Sequence, residues 1–307
     1  MAGRGRVVFS SSKHASPTNG ATVLPRRSSL VSSLKTGAGN VANAMFATLF
    51  PDDCRLCRNP LANISRLPVC EQCLDSLNRI EGTVCAICGE RLTTPYAISE
   101  GEARCGLCRR AEPPYVKAAA YGSYESGLRD LIHLLKYDHV RPAAAVLGRM
   151  LAEAIGDLSF DFKNGAVIVV PVPLFAKKFR QRGFNQAELV AQSALKVLRG
   201  GKFELNVNVL QRQRETQSQI GLSRHQRREN MRGAFAVVNP AEIANRDVLL
   251  ADDVLTTGTT AAECARVLHR AGASKVYVAT VARTLKVEVQ GVKLVEIEDP
   301  LAMAAHG

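Results

Sequence analysis

The chain has 307 residues, 46% hydrophobic and 22% charged, enough apolar matter for two globular domains and too much for a disordered chain. No run approaches the roughly 18 consecutive apolar residues of a membrane span, so membrane insertion is not expected. The formal net charge of +12 favours an anionic partner, phosphate groups or nucleic acid.

The positive charge is concentrated in two places. Residues 1–50 hold six Lys/Arg and no acid, and residues 176–232 hold thirteen Lys/Arg against four Glu. The opening stretch, residues 1–48, is rich in Ser, Gly, Asn and Arg and lacks the apolar core of a secretory signal. It reads as a disordered basic tail, and the chain as cytoplasmic.

Eight of the nine cysteines follow as four C-x-x-C pairs, Cys54/Cys57, Cys70/Cys73, Cys85/Cys88 and Cys105/Cys108, separated by 12, 11 and 16 residues. Two sulfurs three residues apart on a tight knuckle share one metal ion, and two knuckles complete the four-thiolate shell that Zn²⁺ prefers. Residues 50–112 therefore form a double zinc ribbon with two structural zinc sites, paired either sequentially or in a cross-braced way. Redox dithiols are the weaker alternative. Cys264 stands apart among Ala and Val and reads as a small buried hydrophobe.

Pro113-Pro114 marks a boundary, after which strand and helix patterns alternate. Gly127–Tyr137 is a predicted helix with Leu128, Leu131, Ile132 and Leu135 on one face and Arg129, His133 and Lys136 on another. Ala166–Val170, closed by Pro171 and Pro173, is a predicted buried strand, and Asn185–Leu198 a helix. Val248–Ala251 is a second strand, Thr259–Ala271 a helix stopped by Gly272, and Val276–Val281 a third strand. Such alternation implies an α/β fold with a parallel sheet flanked by helices, over residues 115–285. Residues 286–307 close the chain, with a hairpin expected around Gln290-Gly291.

The segment V-L-L-A-D-D-V-L-T-T-G-T-T, Val248 to Thr260, carries the most chemistry. A buried strand delivers Asp252 and Asp253 to its carboxyl end, where open α/β sheets bind ligands. The turn Thr256-Thr257-Gly258-Thr259-Thr260 then enters a helix, and amides at a helix start with threonine hydroxyls cradle a phosphate. Adjacent carboxylates accept hydrogen bonds from the paired hydroxyls of a sugar. Together these parts describe a ribose 5-phosphate site.

The segment resembles the phosphoribosyl-pyrophosphate (PRPP) loop of type I phosphoribosyltransferases. The resemblance implies that Asp252 and Asp253 hold the ribose hydroxyls and that Thr256–Thr260 hold the 5′-phosphate. Several purine-using members carry a third acid where Thr256 stands, so a purine acceptor is disfavoured and no general base is assigned.

Four further motifs, Tyr124–Tyr137, P-V-P-L at Pro171–Leu174, R-G-F-N-Q-A at Arg182–Ala187 and Thr216–Asn230, make the chain similar to the ComF family over residues 54–285. That family pairs a cysteine zinc ribbon with a phosphoribosyltransferase-like domain and is associated with competence and DNA uptake. The resemblance implies PRPP with Mg²⁺ as ligand and phosphoribosyl transfer to an unknown acceptor. It also implies contact with the competence machinery and with single-stranded DNA. Lys177, Lys178, Arg180 and Arg182 are then placed for the leaving pyrophosphate, and Arg224, Arg227 and Arg228 for a mobile flap. Arg129, His133 and Lys136 would face the acceptor, while Phe184 packs in the core. The alternatives are a non-catalytic single-strand binder or a PRPP sensor on the same scaffold. An aromatic content of 5% without Trp offers a single-strand binder few stacking platforms.

Overall fold

A computed structural model describes residues 52–61, 65–92, 103–159, 162, 165–198, 200–216 and 223–285. All of these lie in one compact unit, Pro51–Gly307. The expected basic tail and the expected terminal hairpin lie outside the described residues.

Among the described residues a five-stranded sheet has the order β1 (Lys117–Ser123), β7 (Val276–Arg283), β6 (Val248–Leu255), β2 (Val167–Pro171), β3 (Phe203–Leu205). Every pairing in it is parallel. All residues of β2 and β7 are buried, because helices cover both faces of the parallel sheet. The remaining strands, β4 (Leu210–Arg212) and β5 (Phe235–Val237), form a separate antiparallel pair.

One face of the sheet carries α3 (Ser126–Lys136), α4 (Ala143–Leu158) and α6 (Gln186–Val197), whose apolar sides share a core with Leu249, Tyr277 and Val281. The second core joins α8 (Thr259–Arg270), through residues such as Leu268, to Ile168, Leu250 and Val278 of the sheet. Cys264 is fully buried there, as its Ala/Val setting implies. A short α5 (Ala176–Arg182) precedes α6, and α7 (Arg224–Met231) precedes β5.

The expected strands exist, and β6 runs four residues beyond its expected end. Asp252 still pairs with Thr280 and Val254 with Ala282, so the backbone stays in the sheet while the side chains turn polar. After β2 the chain leads to β3 on one side, and after β6 it leads to β7 on the other. The crevice at the carboxyl ends of β2 and β6 is thus the switch point where open α/β sheets bind ligands.

The cysteine segment consists of two copies of one unit, whose first cysteines, Cys54 and Cys85, stand 31 positions apart. In each, a knuckle closes by a bridge, Asp53 with Pro60 and Val84 with Arg91. The Cys54 N–H donates to the Asn59 carbonyl at 2.8 Å, and the Cys85 N–H to the Glu90 carbonyl at 2.7 Å. The third cysteine of each copy precedes a helical turn, Cys70 before α1 (Glu71–Asp75) and Cys105 before α2 (Gly106–Arg110). The two copies also cover the free edge of β1: Ile80 N–H donates to Tyr121 O at 2.8 Å, and Ala118 N–H to Ile87 O at 2.7 Å. An exposed edge strand invites unwanted pairing, and the ribbons remove that risk.

Candidate functional site

The cysteines pair sequentially. Cys54, Cys57, Cys70 and Cys73 form one group and Cys85, Cys88, Cys105 and Cys108 the other, with all sulfurs of a group within 4.8 Å of one another. Nearest sulfurs stand 3.7 Å apart for Cys57/Cys70 and Cys88/Cys105, and 3.8 Å apart for Cys54/Cys73. Four sulfurs at about 2.3 Å from a tetrahedral Zn²⁺ stand about 3.8 Å from each other, so both groups fit zinc. The Cys54 thiol is pushed up by burial, but N–H groups of Cys57, Cys70 and Leu56 outweigh this and hold it at about 6.

The second site is built around the carboxyl end of β6. Asp253 is buried, and its Oδ1 lies 3.0 Å from Lys136 Nζ at the end of α3. The Asp253 N–H donates to Asp252 Oδ1 at 2.8 Å. Asp253 Oδ2 is buried without a hydrogen-bond partner among the described residues. Burial pushes the Asp252 carboxyl up to about 7, with the Asp253 charge adding to the effect; the Asp253 N–H, Lys136 and Arg212 oppose it.

Cations surround this pair. Burial alone would lower Lys136, but Asp253 and Tyr124 outweigh it and hold the ammonium protonated. Lys178 is lowered first by burial, then by the charges of Arg212, Arg182 and Lys136. Arg182 is likewise lowered by burial, with Asp253 and Tyr137 opposing, and its guanidinium lies 5.7 Å from the Tyr137 ring centre. Arg212, in β4, feels Asp252 and bonds Thr216. Cations gathered in this way would suit an anion with more than one charge.

From Leu255 the chain turns through Thr256 and Thr257 to Gly258, which precedes α8 at φ +73°. A side chain there would be strained, and its Cβ would stand 3.3 Å from the Tyr115 hydroxyl. Thr257 and Thr259 hydroxyls bond each other at 2.9 Å. The first amides of a helix have no intrahelical acceptor, so the start of α8 is suited to an oxyanion. Asp252, Thr256, Gly258, Thr259 and Thr260 line one small cavity with Val172 of the P-V-P-L segment.

The other residues singled out in the sequence are distributed differently. Arg129, His133 and Lys136 do not share one environment: Lys136 meets Asp253, while His133 Nε2 meets the Tyr124 hydroxyl at 2.9 Å. Arg129 lies 3.6 Å from Asp130. Lys177 is exposed and pairs with Glu215 at 3.5 Å. Arg228 is exposed on α7 and Arg227 buried; the side chain of Arg224, like residues 217–222, lies outside the description. Of the stretch expected as a flap, Arg224–Met231 is a helix with a capping box between Ser223 and Gln226. Its far end is docked, since Gly233 N–H donates to buried Glu263 at 2.9 Å. Phe184 is buried in the core beneath Arg141, as packing rather than as a base platform.

Sequence reasoning missed Arg212, counted only as one basic residue among thirteen, and it missed Tyr115, Glu90 and Arg283. Arg283 ends β7 and is 5% exposed; its Nη2 donates to Glu90 at 2.9 Å and to the Cys88 sulfur at 3.6 Å. No local motif announces a bond spanning 193 residues.

Comparison with known proteins gives two family matches. Residues 45–112 match the double zinc ribbon domain, and residues 141–290 match the phosphoribosyl transferase domain. DNA utilization protein YhgH of Escherichia coli K12 is 32% identical over 238 residues, covering 76% of this chain and 98% of that protein. Competence protein F of Haemophilus influenzae is 31% identical over 223 residues, 70% of this chain and 96% of its own length. Competence protein ComFC of Bacillus subtilis is 24% identical over 204 residues, 66% of this chain and 79% of its own. The chain belongs to the competence protein F (ComF) family, as a double zinc ribbon joined to a phosphoribosyl transferase domain.

Proposed function

We propose that the crevice at the end of β6 binds PRPP with Mg²⁺, and that the protein transfers its phosphoribosyl group to an acceptor other than a purine. The observation that carries this reading is the order of parts along one strand, turn and helix. Two carboxylates, one with a buried oxygen unpartnered among the described residues, are followed directly by hydroxyls and helix-start amides, with cations opposite. The carboxylates suit the ribose diol, and the Thr256–Thr260 loop suits the 5′-phosphate. Lys178, Arg182 and Arg212 suit a pyrophosphate, whose charge grows as the bond to the ribose carbon breaks. Mg²⁺ would be held largely by substrate oxygens, as is usual for this ion, with the Asp252/Asp253 pair as the nearest protein carboxylates. Thr256 is exposed and has no basic group, so the acceptor's own nucleophile must supply the reactivity.

Calorimetric titration of the full chain with PRPP and Mg²⁺, alongside Asp253→Asn, tests the proposal. Saturable binding weakened about tenfold or more in the variant is the expected result. No heat at millimolar ligand would refute it.

A second reading follows from relatives named for DNA utilization and competence. The same cation cluster would engage the phosphates of a single strand. Competition between PRPP and an oligonucleotide would place both at one site, whereas salt-sensitive DNA binding indifferent to PRPP would place DNA elsewhere.

A further inference from the structure

The two cysteine groups belong to different cores. Cys54 lies in the core with α3, α4 and α6, whereas all four cysteines of the second group share a cluster with Tyr115, Leu255 and Ala261. Leu255 and Ala261 bracket the phosphate loop. Tyr115 is 6% exposed, and its hydroxyl is the nearest atom to the position a Gly258 side chain would occupy. Arg283 joins the same group from the sheet. Its guanidinium reaches the Cys88 sulfur and Glu90, and its backbone is in register with Leu255, the residue before Thr256. The next residue, Thr284, donates its N–H to the Leu255 carbonyl at 3.1 Å.

We propose that metal held by Cys85, Cys88, Cys105 and Cys108 sets the shape of the phosphate loop, with Arg283 and Tyr115 as the positioning residues between them. A zinc ion on four thiolates carries two net negative charges, and the buried Arg283 offsets part of this while tying the cluster to the end of β7. With the metal in place the second ribbon is a rigid wall behind Tyr115, and Tyr115 supports the turn at Gly258. Without it nothing gathers the four sulfurs, the wall loosens, and the loop loses its backing. The first group packs on the α3 core, which includes Ala251 and Val254 of β6 but neither Tyr115 nor Leu255. What the loop holds rests on the phosphoribosyl reading; the coupling itself does not.

The test is amide hydrogen exchange of residues 252–262 in the ligand-free full chain, followed while zinc is withdrawn stepwise by a chelator and counted. Loss of the more exposed first zinc is expected to leave loop exchange unchanged, and loss of the second to speed it about tenfold. Tyr115→Leu and Arg283→Met are expected to speed it likewise, with Arg283→Met also retaining zinc about tenfold less tightly. Arg79→Ala, on the first ribbon, is expected to change neither. Loop exchange at the parent rate after both zincs are gone, or in a folded Tyr115→Leu, would overturn the coupling. A parallel titration with ribose 5-phosphate separates the two ideas, because a parent chain that binds none refutes the phosphoribosyl reading and leaves the exchange result to decide the coupling.

Discussion

The two cysteine ribbons share one knuckle geometry and are opposites in setting. In the first, Cys57 is exposed and Cys70 and Cys73 are half-buried; in the second, all four cysteines are buried. The first is tied to α4 by exposed ion pairs, Arg79 with Glu153 at 3.3 Å and with Asp157 at 2.5 Å. The second is tied to the sheet by the buried Arg283–Glu90 pair. The equivalent knuckle position is Arg58 at φ +64° in the first and Gly89 at φ +72° in the second. A Cβ on Gly89 would stand 3.0 Å from the Ala118 carbonyl oxygen, so the second knuckle lies against β1. The two cysteine groups offer alike sulfur shells, and packing makes one of them part of the domain beside it.

The largest expected contrast comes from the ligands. Structural zinc contributes on the order of 10 kcal/mol, comparable to a whole domain's stability. Cys105→Ser is therefore expected to unfold the second ribbon and to lower strongly the melting temperature of the domain beside it, which still unfolds cooperatively. Cys57→Ser, at the exposed site, is expected to leave a cooperative thermal transition with one zinc per chain. Calorimetric melting with zinc counting checks both.

Next come the ion pairs. Arg283→Met leaves Glu90 buried and without its guanidinium, at a cost of about 3–5 kcal/mol. Arg79→Ala breaks exposed pairs and is expected to cost less than about 1 kcal/mol. Urea denaturation of the two variants measures the difference directly.

How much of this is legible in the sequence depends on whether the signal is local. Strands β2, β6 and β7 open on apolar runs and stand out, and the D-D-V-L-T-T-G-T-T segment places carboxylates, hydroxyls and glycine in reading order. Strand β1, K-A-A-A-Y-G-S, has no β-branched residue and is a strand because β7 and the ribbons pair with it. The helix at Arg224–Met231 reads as a polar stretch, although its Ser223/Gln226 capping box is present in the sequence. Pairing of the cysteines needs geometry, since cross-bracing satisfies the same spacing. The Lys136–Asp253 pair joins segments far apart in the chain, and no pattern of helix faces could assign Lys136 to the carboxylates rather than to an acceptor.

A smaller effect concerns pH. Asp252 titrates at about 7 when folded against an ordinary 3.8, so between these values the folded chain holds the extra proton. Stability is therefore expected to fall as pH rises through that window, by on the order of 1–3 kcal/mol, and Asp252→Asn is expected to remove the dependence. Stability curves at several pH values read this out. The knuckle pair is also modest: Arg58→Gly relieves a left-handed backbone and is expected to stabilise by about 1 kcal/mol, while Gly89→Ala destabilises by at least as much.

The end of β6 is proposed above all as the ligand site, and hydrogen exchange of the full chain with and without saturating PRPP and Mg²⁺ tests this most directly. Ligand seated there is expected to slow exchange in residues 252–262 and in the Lys178–Arg182 segment, with the first ribbon unchanged. Protection confined to the ribbons or to α7, or none at all, would contradict it.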